Sequence, residues 1–215
     1  MRRKRPRSRG IRNPVRNAIL FGLFTVGSIT LVAFGVIDMR ASGSTSSPLL
    51  VVGLFPALLC PIAFVQYLRN IAVVRGMRSG RDAVARWTLP ADQFDRFRED
   101  EARIPERSVM VNFYKPPHSI PHDGVEVVFS EAGVLIRDGY FPLPTKGTRR
   151  LEGVRHVGSD PGCIEFSLAT IARVRTSSAS LETVRTSHAL RVPVAVDATR
   201  LANQVVRHYQ DILEA

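Results

Sequence analysis

A chain of 215 residues with 45% hydrophobic side chains and a mean hydropathy of +0.01 suits either a soluble protein or a small membrane protein. Its net charge of +11 is concentrated, with +8 in residues 1–17, +4 in residues 69–86 and −1 in residues 87–215, which argues against a basic nucleic-acid-binding domain. Two cysteines, Cys60 in an apolar run and Cys163 in a predicted strand, form no disulfide framework and read as small apolar fillers.

The chain opens on a basic tail, residues 1–17. Arg2, Arg3, Lys4, Arg5, Arg7, Arg9, Arg12 and Arg16 meet no acid there, and few apolar residues are available to fold it. It reads as a disordered electrostatic anchor in which charge matters and residue order does not. Two uncharged runs follow, Ala18 to Ile37 and Leu49 to Leu68, each of twenty residues. At about 1.5 Å rise per residue, each spans a hydrocarbon core of roughly 30 Å. A signal peptide has a shorter apolar stretch, so the reading is a transmembrane hairpin over residues 18–68. Lys and Arg resist translocation, which places both basic flanks inside and the Ser/Gly-rich turn, Ala41 to Pro48, outside. The expectation is a multi-pass protein of the plasma or inner membrane with both termini cytoplasmic. Pro56 and Pro61 each remove a helix donor, which predicts a kink in the second span. The spacing Ala18-x-x-x-Gly22 permits close helix contact.

Residues 69–107 read as a juxtamembrane helical linker. The second helix continues to an interruption near Gly76 or Gly80, and a new helix starts around Thr88 to Ala91. Asp92 with Arg96, and Glu99 with Arg103, are spaced as i, i+4 ion pairs. Trp87, Leu89, Phe94 and Phe97 form one narrow apolar stripe that packs on the domain beyond.

From residue 108 to residue 215 the period falls to two. Short β-prone runs occur at Val109–Tyr114, Val125–Phe129, Gly133–Ile136, Leu151–Val157, Cys163–Leu168, Ile171–Arg175, Leu181–Thr186 and Ala189–Val196, separated by Asp-Gly and Pro-Gly turn chemistry. Asp197 is placed to cap a final helix, Ala198 to Leu213, whose stripe is Leu201, Val205, Tyr209 and Ile212, with Val206 and Leu213 beside it. The fold class is therefore an α+β membrane protein, with a bent antiparallel sheet or open barrel closed by a C-terminal helix.

The order VEVVFSEAGVLIRD, a strand from Leu151-Glu152-Gly153-Val154, then Cys163-Ile164-Glu165-Phe166, Leu190-Arg191-Val192-Pro193 and a closing helix resembles the bacterial pleckstrin-homology-like (PH-like) domains. Many of these stand behind a two-span hairpin. The resemblance implies a scaffold for protein, peptide or lipid contact and no catalysis. Phosphoinositide-binding members of the wider superfamily gather bases on the first strand pair, whereas Val125 to Asp138 holds Arg137 against Glu126, Glu131 and Asp138.

Chemistry-bearing patterns are sparse. His118 and His122 are four apart, but Pro117 and Pro121 break the helix that would bring them to one metal. His156, His188 and His208 are isolated. Arg149 with Arg150, and Arg173 with Arg175, make local basic patches, and Thr176 to Ser180 is a Ser/Thr-rich connection. No phosphate loop, nucleophile elbow or carboxylate dyad is present, so no cofactor, metal or catalytic residue is assigned. The expected role is a membrane-anchored cytoplasmic protein-interaction or scaffolding module, through self-association or another protein. The alternative is a lipid-facing module in which Arg2, Arg3, Lys4, Arg5, Arg69, Arg75, Arg78 and Arg81 meet anionic headgroups nonspecifically.

Overall fold

The structure is a computed structural model, and it describes residues 10–43, 45–104, 112–158, 162–175 and 181–215. The chain divides into two compact units, Asn13–Arg75 and a second formed by Gly76–Ala215 with the segment up to Arg12.

The first unit is made of α1 (Pro14–Ser42) and all but the last turn of α2 (Pro48–Arg78), each long and apolar enough to cross a membrane. A helix of a soluble core would be mostly covered, but only 11% and 6% of their most apolar windows are buried. The helices pack closely at small residues. A Cβ on Gly35 would stand 2.6 Å from the Leu50 nitrogen, one on Gly22 would stand 3.2 Å from Phe64, and Phe21 stacks on Tyr67 at 5.4 Å. Pro56 and Pro61 lie within α2, which is helical throughout its span. It stops after Arg78, where Gly80 takes φ +78° and its N–H donates to the Met77 carbonyl.

The second unit holds two antiparallel sheets. The first, in order β1-β2-β3-β4, comprises Ala85–Leu89, Val125–Ser130, Gly133–Ile136 and Gly139–Pro142. The second, β5-β6-β7, comprises Arg149–Val157, Cys163–Arg175 and Leu181–Pro193. Between β1 and β2 lies α3 (Ala91–Arg103), and after a 3-10 turn at Val196–Ala198 comes α4 (Thr199–Glu214). One core joins these parts. Trp87 meets Phe129 at 4.8 Å, Phe129 meets Phe166 at 6.2 Å, and Phe166 meets Tyr209 of α4 edge-on at 5.1 Å. Trp87 Nε1 donates to the Pro193 carbonyl, and Tyr209 Oη to that of Ser130, so both polar tips are satisfied inside the core.

Several expectations change. The stretch expected as a helical linker supplies β1, where Ala85, Trp87 and Leu89 alternate inward against Arg86 and Thr88 outward, and only Phe94 and Phe97 of the supposed stripe are helical. Among the described residues, the ion pairs within α3 are Asp95–Arg98 and Asp100–Arg103 at i, i+3, in place of the two expected i, i+4 pairs. Gly139–Pro142 is an additional strand. Ile171–Arg175 is continuous with the strand before it, as Leu181–Thr186 is with the strand after it, because β6 and β7 pair without a break over thirteen positions. Asp197 sits in the 3-10 turn, and α4 has no side-chain cap. The buried face of α4 is Ala202, Val205 and Tyr209, while Leu201 is 36% exposed. Of the expected strand Val109–Tyr114, residues 109–111 lie outside the described residues. In β5 the register with β6 shifts between Leu151 and Gly153, so Glu152 is the extra residue of a bulge.

Candidate functional site

The strongest concentration of polar groups lies on the outer side of the second sheet. Along β6, Ile164, Phe166 and Leu168 enter the core, which sends Glu165 to the other face. Glu165 is nevertheless only 1% exposed. Its register partners are Arg155 on β5 and Arg191 on β7, and both close over it. Arg155 Nε donates to Glu165 Oε1 at 2.8 Å, and Arg191 Nε donates to Oε2 at 2.7 Å. Arg191 Nη1 continues to Glu101 of α3 at 3.2 Å, which ties that helix to the sheet. Burial opposes the charge on Arg191, but Glu165 and Glu101 outweigh it and raise its pKa.

Asn112 extends the cluster along the edge of β7. Its Oδ1 accepts from the backbone N–H groups of Arg191 at 2.9 Å and Tyr114 at 3.0 Å, so one buried amide fixes the loop to the strand. Cys163 lies beside these charges, and burial pushes its thiol up to about 11. At neutral pH that thiol is protonated, which disfavours its attack on oxidants and metals. The arrangement is a closed ion network whose acceptors are already occupied, a fastening for α3 and the β7 edge more than a ligand site.

A second set of charges surrounds the end of α2. Arg86 Nη2 donates to the Met77 and Arg78 carbonyls at 2.9 and 2.7 Å, capping the helix, while its Nε faces Glu126 at 3.4 Å. Arg78 bonds to Asp138 at 3.4 Å, and Arg81 faces Asp82 at 3.6 Å. Two of the arginines expected to meet lipid thus already have acidic partners. Arg69 and Arg75 are exposed, and Arg2, Arg3, Lys4 and Arg5 lie outside the described residues.

A third feature is a projection. β5 accompanies β6 only from Cys163 to Thr170, whereas β6 and β7 remain paired to Arg175 and Leu181. Among the described residues, the outer part of this hairpin has no third strand. Its base is fixed by Glu152, which bonds to both Arg185 and Arg150. Burial works against ionisation of Glu152, but the hydrogen bonds and charges of Arg185, then Arg150, hold its carboxyl below the usual range. Beyond that base Val184 is 41% exposed. The Ser/Thr-rich connection Thr176 to Ser180 lies outside the described residues, as do the side chains of Arg173 and Arg175.

The remaining sequence candidates do not converge. His118 offers its carbonyl to Arg98, His156 Nδ1 lies 3.2 Å from Asn203 Oδ1, and His188 faces Phe113 at 6.2 Å. Arg149 stands 4.5 Å over the Phe113 ring, a cation–π contact that separates it from Arg150. No cluster of three metal-binding side chains occurs among the described residues. One cavity, of about 480 Å³, is lined by Thr199, Arg200, Asn203, Gln204 and Arg207 of α4. Sequence reading missed the Glu165 network, although one signal was present: a lone carboxylate inside the apolar run Cys163-Ile164-Glu165-Phe166. The chain matches no family profile, no curated protein and no solved structure.

Proposed function

We propose that this chain is a membrane-anchored PH-like module whose cytoplasmic domain works by binding protein, without catalysis. The observation that carries this reading is the β6–β7 hairpin, which runs beyond its third strand as a two-stranded ribbon. Such a ribbon is marginal alone and gains from docking. Of the arginines the lipid-facing alternative would use, Arg78 and Arg81 face Asp138 and Asp82 in exposed pairs that separate at little cost, and Arg69 and Arg75 are exposed. Two antiparallel sheets, with Val205 and Tyr209 of the last helix in their common core, support the PH-like reading.

The helix pair is the anchor. Ile11, before α1, exchanges backbone hydrogen bonds with Tyr140, after α2. That contact supports an even number of crossings, since both segments must share one side. The basic flanks make that side the cytoplasm. A photo-crosslinker at Val184 in the full chain, in its native membrane, tests the proposal against the same label at Thr199. A discrete protein adduct specific to Val184 is expected, whereas lipid adducts alone would establish the headgroup reading. A reporter fused after Ala215 should be active only in the cytoplasm.

A further inference from the structure

The first sheet ends on β4, and the outer edge of that strand is covered from an unexpected place. Ile11 N donates to the Tyr140 carbonyl at 2.8 Å, and Tyr140 N donates to the Ile11 carbonyl at 3.2 Å. This mutual pair is an antiparallel bridge outside the named strands. The segment is shaped for its seat. Gly10 has φ +75°, and a Cβ there would lie 2.9 Å from the Phe141 ring and 3.0 Å from the Gly139 backbone. Only glycine fits so close to a neighbouring strand at that backbone angle. Arg12 follows, near enough to Tyr114 to act on its hydroxyl electrostatically. The tail expected to be read by charge alone therefore contains a short segment read by shape.

An uncovered edge strand is a template for another chain, and natural sheets cover, charge or shorten such edges. Gly139-Tyr140-Phe141-Pro142 bears no charged side chain, and among the described residues only Ile11 pairs with its outer side. Tyr140 presents one donor and one acceptor outward. A Tyr140 from a second copy, related by a two-fold axis, would supply the same donor and acceptor that Ile11 supplies now. The strand is four residues long and Pro142 has no N–H, so such pairing is confined to this one mutual pair. Confinement of the chains to one membrane would raise their effective concentration enough for so small a contact to matter.

We propose that Gly10–Ile11–Arg12 is a strap that keeps the β4 edge from pairing with the same edge of a second copy. This deepens the protein-binding reading, on which it rests, by naming one place of self-contact and what closes it. The test uses the full chain in native membranes, with Cys60 and Cys163 replaced by Ala and a reporter thiol introduced as Tyr140→Cys. With the strap intact, mild oxidation should give little covalent dimer. Gly10→Val, which cannot occupy the seat, and Ile11→Pro, which removes the donor, should each raise the dimer yield severalfold. A reporter at Arg150→Cys should show no such rise. In parallel, amide exchange at Tyr140, measured in detergent at a dilution where the chain is monomeric, should quicken severalfold when either strap substitution is made alone. Faster exchange without dimer, equal dimer with the strap intact, or unchanged exchange would each overturn the proposal. Because the Val184 crosslink is independent of this edge, failure here and failure of the protein-binding reading are separable.

Discussion

Glu165 and Asp138 are both carboxylates bonded to arginine, and they show how little an ion pair means before its surroundings are known. Glu165 is 1% exposed and holds two guanidinium groups, one of them itself tied to Glu101. Asp138 and its partner Arg78 have side chains 50% and 55% exposed, with water free to solvate either one alone. In the first case Glu165 and Arg191 were desolvated on folding, so each depends on the other, while Arg155 remains largely in solvent. In the second, separation returns both to solvent at little cost.

A carboxylate with no partner marks the upper limit of this comparison. Val205→Asp places one in the common core of both sheets and α4, and should cost several kcal/mol. Trp87, the sole tryptophan and a member of that core, reports unfolding by its fluorescence. An unchanged melt would mean that α4 does not seal the domain. Next comes Arg191→Met, which strips Glu165 of one partner and Glu101 of its own, for about 3 kcal/mol. Replacing Glu165 by Leu as well should recover part of that loss, since it removes one of the two stranded carboxylates and leaves only Glu101 without its arginine. A double variant weaker than Arg191→Met would refute the argument from desolvation. Smaller again is Asp138→Ala, for which a shift within about 1 kcal/mol is expected, and which added salt should make smaller still.

The smallest effect is one of pH. Glu152 is held below its unfolded value by Arg185 and Arg150, so its contribution is complete above the unfolded carboxylate pKa of about 4.3. It fades as pH falls from there through the folded value. Glu152→Gln should therefore flatten the acid limb of the stability curve slightly and leave the neutral region nearly unchanged. Equal slopes in parent and variant between pH 5 and 3, as estimates bracketing that range, would show the pair to be inactive.

Much of the fold could be read from residue order, for reasons that differ by element. The apolar helices announce themselves because each is a run of twenty residues without a charge, long enough to be recognised from composition alone. Strands β2 and β3 were legible because Asp-Gly and Ala-Gly turns bound them. β1 was hidden because Trp87 and Leu89 fit both a strand of period two and the stripe of the helix that follows. β4 was hidden by its length and its Gly and Pro ends. Leu201 and Ala202 of α4 compete for the same face, and the smaller residue took it because Val205 and Tyr209 set the helix rotation. The Glu165 cluster needs a register across three strands, with partners 10 and 26 residues away, and no local pattern encodes that. The strap was invisible for the same reason: its partner lies beyond both helices.

The bulge in β5 changes the frame in which that strand is read. Leu151 and Val154 both enter the core although they are an odd number of residues apart, which a regular strand forbids. Glu152 is the inserted beat that makes this possible. Exchanging it for another polar residue alters a surface pair. Deleting it would leave Leu151 and Val154 two residues apart, the spacing a regular strand allows, so β5 should keep its partners on β6 and lose only the local bend and the ties to Arg185 and Arg150.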